Sequence, residues 1–396
     1  MAMKLISGGR VFSGADRAFR QQDVLIDGDR VVKVRDRIEH DSGMEVVDAA
    51  GMLVSAGLID FHMHAFRYGH FLSVDADDVA PTSGTTTFVD AGSAGSLHFL
   101  AFREYVIKPA TSRILAFLNI SAIGQTTDGV TGLGFHDCDD ERLLHVESAR
   151  ETIEKNREFI VGVKVRAYTN LPSMRAMERA RELADLVDLP IMVHTAPAPP
   201  SFEDVVSFLR PGDIITHPYH GGSTTTLDDH GNVRAEYWAA RERGIEVDLG
   251  LDRFHGLLPI MGACVEQGYY PDYVSTDLTT TNRHTVVFDM PTTMSKLMAC
   301  GMPLEEVFAR STLDPARKLG IDSQIGDLRE GATADVSIFR LDDGEHTFHD
   351  YEGNTIAAPQ RIIAEKTFKD GDLMVVPDRE TEVPEFLNMA NPWKNY

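Results

Sequence analysis

At five places in this 396-residue chain, a strand-like run carries a residue able to bind a cation at or near its end. His62 and His64 follow the run 58–61, Lys164 lies in 160–165, His194 ends 190–194, His217 ends 213–217, and Asp277 ends 273–277. Residues two apart on a strand share a face, so His62 and His64 project together and can hold one ion. The same alternation puts Lys164 on one face with Gly162 and Arg166, and Val163 and Val165 on the other. Alone, a histidine at a strand end is more often a hydrogen-bonded structural residue, and an inward lysine can simply pair with an aspartate. Their joint occurrence points to a metal centre. A protonated lysine among four histidines would repel a cation. Addition of carbon dioxide would turn the amine into an anionic carbamate with two oxygens, able to bridge two metals, so Lys164 is expected to be N6-carboxylated. Imidazole and carboxylate ligands suit Zn²⁺ best, with Mn²⁺ or Co²⁺ feasible.

Such side chains converge only if their strands form one closed sheet. Runs at 86–90, 114–120 and 245–249 complete a set of eight, each followed by a polar or helical stretch. Eight strands with intervening helices predict a (β/α)8 TIM barrel, whose reactive groups sit at the C-terminal strand ends. Amphipathic stretches at 174–186 and 303–319 supply outer helices. The connection 124–158 is long, Gly- and Thr-rich through residue 134 and helical in texture beyond it. Short β-branched runs and Asp-Gly-Asp turns at both chain ends predict a small flanking β-sandwich domain from 1–55 plus 323–396, around a catalytic barrel at 56–322.

Composition narrows the partners. Lysine and arginine total 38 against 61 aspartates and glutamates, a net charge of −23 that disfavours nucleic acid and anionic membranes. A small anionic substrate remains compatible, because bound metals set their own local field. Three scattered cysteines make neither a disulfide framework nor a zinc knuckle. No leader-like or membrane-spanning stretch is present, so a cytoplasmic enzyme is expected, and symmetric assembly into a homo-oligomer would be ordinary.

The stretch Ser55-Ala56-Gly57-Leu58-Ile59-Asp60-Phe61-His62-Met63-His64 resembles the opening signature of the amidohydrolase superfamily. Residues 311–320 and 326–335 resemble that superfamily's closing helix and its return to the flanking β domain. The resemblance spans nearly the whole chain. It implies that His62, His64 and Asp277 hold the more buried metal, that His194 and His217 hold the second, and that carboxylated Lys164 bridges them. It also implies that a hydroxide between the metals is the nucleophile and that Asp277 moves its proton to the leaving group.

Dihydroorotases of this superfamily read His-x-His-x-Arg, with the arginine on the substrate carboxylate. Here the motif continues Ala65-Phe66-Arg67, moving the guanidinium one residue on. The whole-chain pattern is instead similar to a dihydroorotase-related amidohydrolase/deacetylase subgroup, which implies removal of an acetyl or other acyl group from an O-acetyl α-hydroxy acid or an N-acyl amino acid. Carboxylate anchors are expected from the loops after strands 7 and 8, at Arg253, His255, Asn282, Arg283 and His284, or from Arg166. The competing expectations are a cyclic-amide hydrolase of the dihydroorotase, hydantoinase or allantoinase kind, and a metal-free scaffolding protein.

Overall fold

The computed structural model describes residues 3–127, 136–167, 174–195, 200–222 and 225–377. The chain opens with β1 (Lys4–Ser13), antiparallel to β2 (Ala18–Asp27), which pairs with β3 (Arg30–Arg35). The short runs 4–6 and 11–12, expected as separate strands, thus belong to one strand. The register of β1 on β2 slips between Ile6 and Gly9, and Gly8 takes a φ of 77°, which a residue with a side chain resists. β4 (Glu45–Asp48) and β5 (Leu53–Ala56) lie parallel to β1.

Seven parallel strands follow in spatial order: β6 (Leu58–Met63), β7 (Thr85–Ala91), β8 (Arg113–Asn119), β9 (Ile160–Arg166), β10 (Ile191–His194), β11 (Ile214–Thr216) and β12 (Glu246–Asp248). The eighth position, expected as a strand at 273–277, is taken by an irregular segment. Single parallel bridges join Tyr273 to Asp248 and Leu278 to Met63, closing the barrel between β12 and β6. A regular ladder fails there because two N–H groups go elsewhere. Val274 donates to Arg310 O at 3.0 Å and Thr276 to the Asp60 carboxylate at 3.0 Å.

After the barrel, β13 (Val336–His349) and β14 (Thr355–Lys369) form a long hairpin with the short β15 (Asp372–Leu373). β13 pairs with β5, so the two ends of the chain build one mixed eight-stranded sheet, ordered β15-β14-β13-β5-β1-β2-β3 with β4 alongside β1. Its core includes Ile6, Val24, Val54, Val336 and Phe368.

The outer helices bury apolar stripes, as in Arg175–Val187, where Met177, Ala180, Leu183, Ala184 and Val187 face inward. The single helix expected at 303–319 is two, Leu304–Ala309 and Leu313–Lys318. Pro315 has no N–H to donate to Ser311, four residues back. The Ser311 carbonyl instead accepts from Ile59 of β6 at 2.8 Å. In the long connection, residues 128–135 lie outside the described set, and the second half contains the helix Val146–Glu154. Among the described residues no helix is long and apolar enough to cross a membrane.

One irregularity of β6 sets up the site. Asp60 pairs with Phe88 and Met63 with Asp90, so three steps on β6 match two on β7. This bulge changes which face of the strand looks inward. Below it, Ile59 and Phe61 pack with Val89, Phe117, Met192 and Ile214, whereas Leu58, Met63 and Ala65 join the cluster holding Val163 and Val165. Phe61 therefore plugs the barrel directly beneath His62, stacked on Tyr273 at 4.3 Å and edge-on to Phe117 at 6.0 Å. Phe61→Ala should lower the unfolding free energy by about 3–5 kcal/mol, read from the denaturation midpoint and slope.

Candidate metal centre

The described candidates meet at the C-terminal mouth of the barrel. His62 Nδ1 is held by Asp248 Oδ2 at 2.8 Å and Thr216 Oγ1 at 3.1 Å, which turns its Nε2 toward the axis. His64 Nδ1 meets Ser93 Oγ at 2.8 Å, and His217 Nδ1 meets the Gly250 carbonyl at 2.8 Å. In each ring the outer nitrogen has a partner and the inner one faces Asp277. The carboxylate lies 3.5 Å from His62 Nε2, 3.1 Å from His64 Nε2 and 3.8 Å from His217 Nε2. Asp277 itself is fixed by backbone bonds, donating to His62 O at 2.6 Å, while Leu278 O accepts from His64 at 3.2 Å.

Lys164 is buried, with Nζ 3.5 Å from His62 Nε2. Room for its stem exists because position 92 is glycine: a Cβ there would come within 2.5 Å of Lys164 Cγ. His194 rests its ring 4.4 Å from that of His217. His217 and Asp277 hold left-handed backbone, with φ of 66° and 49°, a cost that non-glycine residues bear chiefly where side-chain direction matters.

Electrostatics prepare these groups as ligands. Burial alone would push the Asp277 carboxyl up, yet the imidazoles of His62, His64 and His217 hold it well below the usual carboxylate range. Burial, reinforced by His255, holds His217 well below the ordinary histidine value, and burial with Arg166 does the same to His194. Burial also lowers His62, reinforced by Lys164. For His64, the proximity of Asp277 overcomes burial and the net shift is upward. Burial brings the Lys164 amine down to about 8, against the pull of Asp277 and Asp248. A buried anionic carboxylate ringed by imidazoles, two of which burial keeps toward the neutral form, is a candidate cation site. Asp277 Oδ1 fits this use, being buried with no hydrogen-bond donor among the described residues while close to two ring nitrogens. His62, His64 and Asp277 offer three ligand atoms within 4.8 Å of one another, and so do His217, His255 and Asp277.

The expected anchors divide. Arg253 has a buried Nε without a hydrogen-bond partner among the described residues, and its guanidinium lies 4.6 Å from the centre of the Phe254 ring. Arg166 donates to Asp137 at 2.9 Å. Asn282 is fully buried, giving its amide hydrogens to Asp277 O at 2.7 Å and Asp252 Oδ1 at 3.0 Å while accepting from Thr279 N at 2.9 Å. His284 is exposed, and Arg67, the displaced arginine of the first motif, faces Asp75 and Asp78 at 3.4 Å each. Sequence reading did not single out Asp248, Thr216 or Ser93. Asp248 carried a signal, since an acid at the end of a buried apolar strand needs a partner.

Residues 235–374 match the model of the amidohydrolase family. A deacetylase from Agrobacterium fabrum is 32% identical over 84% of this chain and 81% of its own length. A deacetylase from Brucella anthropi is likewise 32% identical, over 86% and 85%. Among solved structures, that of a dihydroorotase superposes with a TM-score of 0.84 at 28% identity, covering 94% of this chain and 98% of the other. Barrel, ligand cluster and relatives together define a metal-dependent hydrolase. The chain belongs to the amidohydrolase family.

Of the three outer-nitrogen partners, Asp248 on His62 is the charged one. Asp248→Asn, which leaves the volume but removes the charge, should weaken metal binding about 10- to 100-fold in chelator competition, with the fold intact by circular dichroism.

Proposed function

We propose that this hydrolase removes an acetyl or other acyl group from small α-substituted carboxylates, such as O-acetyl α-hydroxy acids or N-acyl amino acids, in a cytoplasmic setting. Near-full-length similarity to two deacetylases carries this reading. The state of Arg67 supports it, because a guanidinium shared between Asp75 and Asp78 is poorly placed to grip a substrate carboxylate. Arg253, whose Nε lacks a hydrogen-bond partner among the described residues, is the better candidate for that task.

In this reading His62, His64 and Asp277 would hold one divalent cation and His194 and His217 a second, with carboxylated Lys164 between them. Zn²⁺ suits the donor set best, Mn²⁺ and Co²⁺ being the alternatives. Bound there, the cations would polarise the scissile carbonyl and lower the pKa of the attacking water. Burial of Lys164 supports its carboxylation. With a pKa near 8, roughly a tenth of the amine is unprotonated at neutral pH, far more than for an exposed lysine. That lone pair adds to the carbon of carbon dioxide, a C–N bond forms, one proton leaves, and the carbamate anion replaces a cation at the site. Asp277, kept ionised by its imidazoles, takes a proton from the attacking water and hands it to the departing oxygen or nitrogen.

Cyclic-amide hydrolysis is the second reading, favoured by the superposition on a dihydroorotase. A metal-free scaffold is disfavoured by the assembled ligands.

Zinc- or manganese-loaded protein should hydrolyse N-acetyl amino acids or O-acetyl α-hydroxy acids in a panel of both hands that also contains dihydroorotate and hydantoins. Turnover of the cyclic amides alone would overturn the deacylase assignment. For Lys164, ¹³CO₂-equilibrated protein should show a carbamate carbon signal that is absent from Lys164→Ala, with activity falling by orders of magnitude in that variant. Full activity with both metals retained in Lys164→Ala would refute the bridging role.

A further inference from the structure

The loop after β12, residues 252–257, stands beside the candidate metal centre, with the His255 ring 4.2 Å from that of His217 and 5.0 Å from that of His194. Both of its ends are tied to the barrel. Asp252 N donates to Thr276 O at 3.0 Å and the Asp252 carboxylate accepts from the Asn282 amide at 3.0 Å, while Leu257 N donates to Tyr219 O at 3.1 Å. Between these ties lie Phe254 and Arg253, whose Nε is buried without a hydrogen-bond partner among the described residues.

Support for that middle stretch comes from the small domain. β13 pairs with β5 over Val336–Phe339, and beyond that the β13–β14 hairpin runs on to a turn at 350–354. Asp350 builds the turn, its carboxylate accepting from Glu352 N and Asn354 N at 3.0 Å each. The same carboxylate accepts from Leu258 N at 2.9 Å. Leu258 opens the helix Leu258–Glu266, and Leu257 before it has no side chain to cap with, so an acid of the small domain caps a helix of the barrel. The carbonyl of His349 accepts from Lys296 Nζ at 2.8 Å, which pins the hairpin to the helix Met290–Ala299 as well. From this fixed turn Tyr351 sets its ring edge-on to Phe254, 4.6 Å between centres and 74° between planes. The Arg253 guanidinium lies 4.6 Å from the centre of the same Phe254 ring.

An arginine that grips a carboxylate loses rotamer freedom, and ordering it in advance removes that cost from binding. We propose that Tyr351 is a positioning residue for Arg253: through the Phe254 ring, the hairpin of the small domain holds the guanidinium ready for the substrate carboxylate. The small domain thereby sets the preference for anionic over neutral substrates. This rests on the assignment of Arg253 as the carboxylate anchor under the proposed function.

The test titrates zinc-loaded protein with racemic lactate and with lactamide, its neutral amide, by calorimetry. Wild type is compared with Arg253→Met, Tyr351→Leu, Tyr351→Ala, Tyr351→Phe and the double variant Arg253→Met/Tyr351→Leu, each checked for fold by circular dichroism and for metal per chain. Tyr351→Leu and Tyr351→Ala should weaken lactate binding about 2- to 10-fold and leave lactamide binding unchanged. Tyr351→Phe, which keeps the ring, should regain the lost affinity. In the Arg253→Met background, Tyr351→Leu should add nothing. Wild-type lactate affinity in folded Tyr351→Leu and Tyr351→Ala would overturn the proposal, as would equal weakening of lactate and lactamide, or the same loss with Arg253 already replaced. A preference for lactate that is absent from wild type, or undiminished in Arg253→Met, would instead remove the anchor assignment and the proposal with it.

Discussion

A carboxylate taken out of water must find positive charge, and Asp277 organises this protein through that need. Its oxygens sit among His62, His64 and His217, each ring turned by a partner on its outer nitrogen so that the inner nitrogen faces the acid. Burial lowers two of these imidazoles, His62 and His217, so they do not supply a full counter-charge, and the cluster suits a cation. The left-handed backbone at Asp277 and His217, the glycine at 92 that admits Lys164, and the amide of Asn282 behind Asp277 all serve this arrangement.

The scaffold beneath is built to the same end. The bulge at Asp60 to Met63 lets Phe61 fill the barrel below while His62 and His64 open into the mouth above. Asp60, which accepts from the backbone N–H and the hydroxyl of Thr276, anchors the irregular eighth segment that delivers Asp277. Packing in the lower barrel and ligand geometry in the upper barrel are thus coupled through a few residues of β6.

Much of this was legible in the sequence. Seven of the eight expected barrel strands appear within a residue or two of their expected bounds, because apolar runs flanked by polar helices leave little choice of period. The candidate ligands that meet at the barrel mouth were readable by type and strand parity. What escaped depends on distant partners. The eighth strand is irregular because two of its N–H groups bond to Arg310 O and Asp60, contacts no local pattern reveals. The bulge in β6 was hidden because His62 and His64 keep their two-residue spacing on either side of the argument from alternation. Asn282 reads as a substrate anchor by its loop position, yet its amide is spent on Asp252, Asp277 and Thr279.

Anomalous diffraction at the zinc edge from crystals of zinc-loaded protein tests the central claim most directly. Two peaks should appear, one bounded by His62, His64 and Asp277 and the other beside His217, with Asp277 between them. A map without a peak in the cluster, or with zinc only at surface sites, would contradict the account.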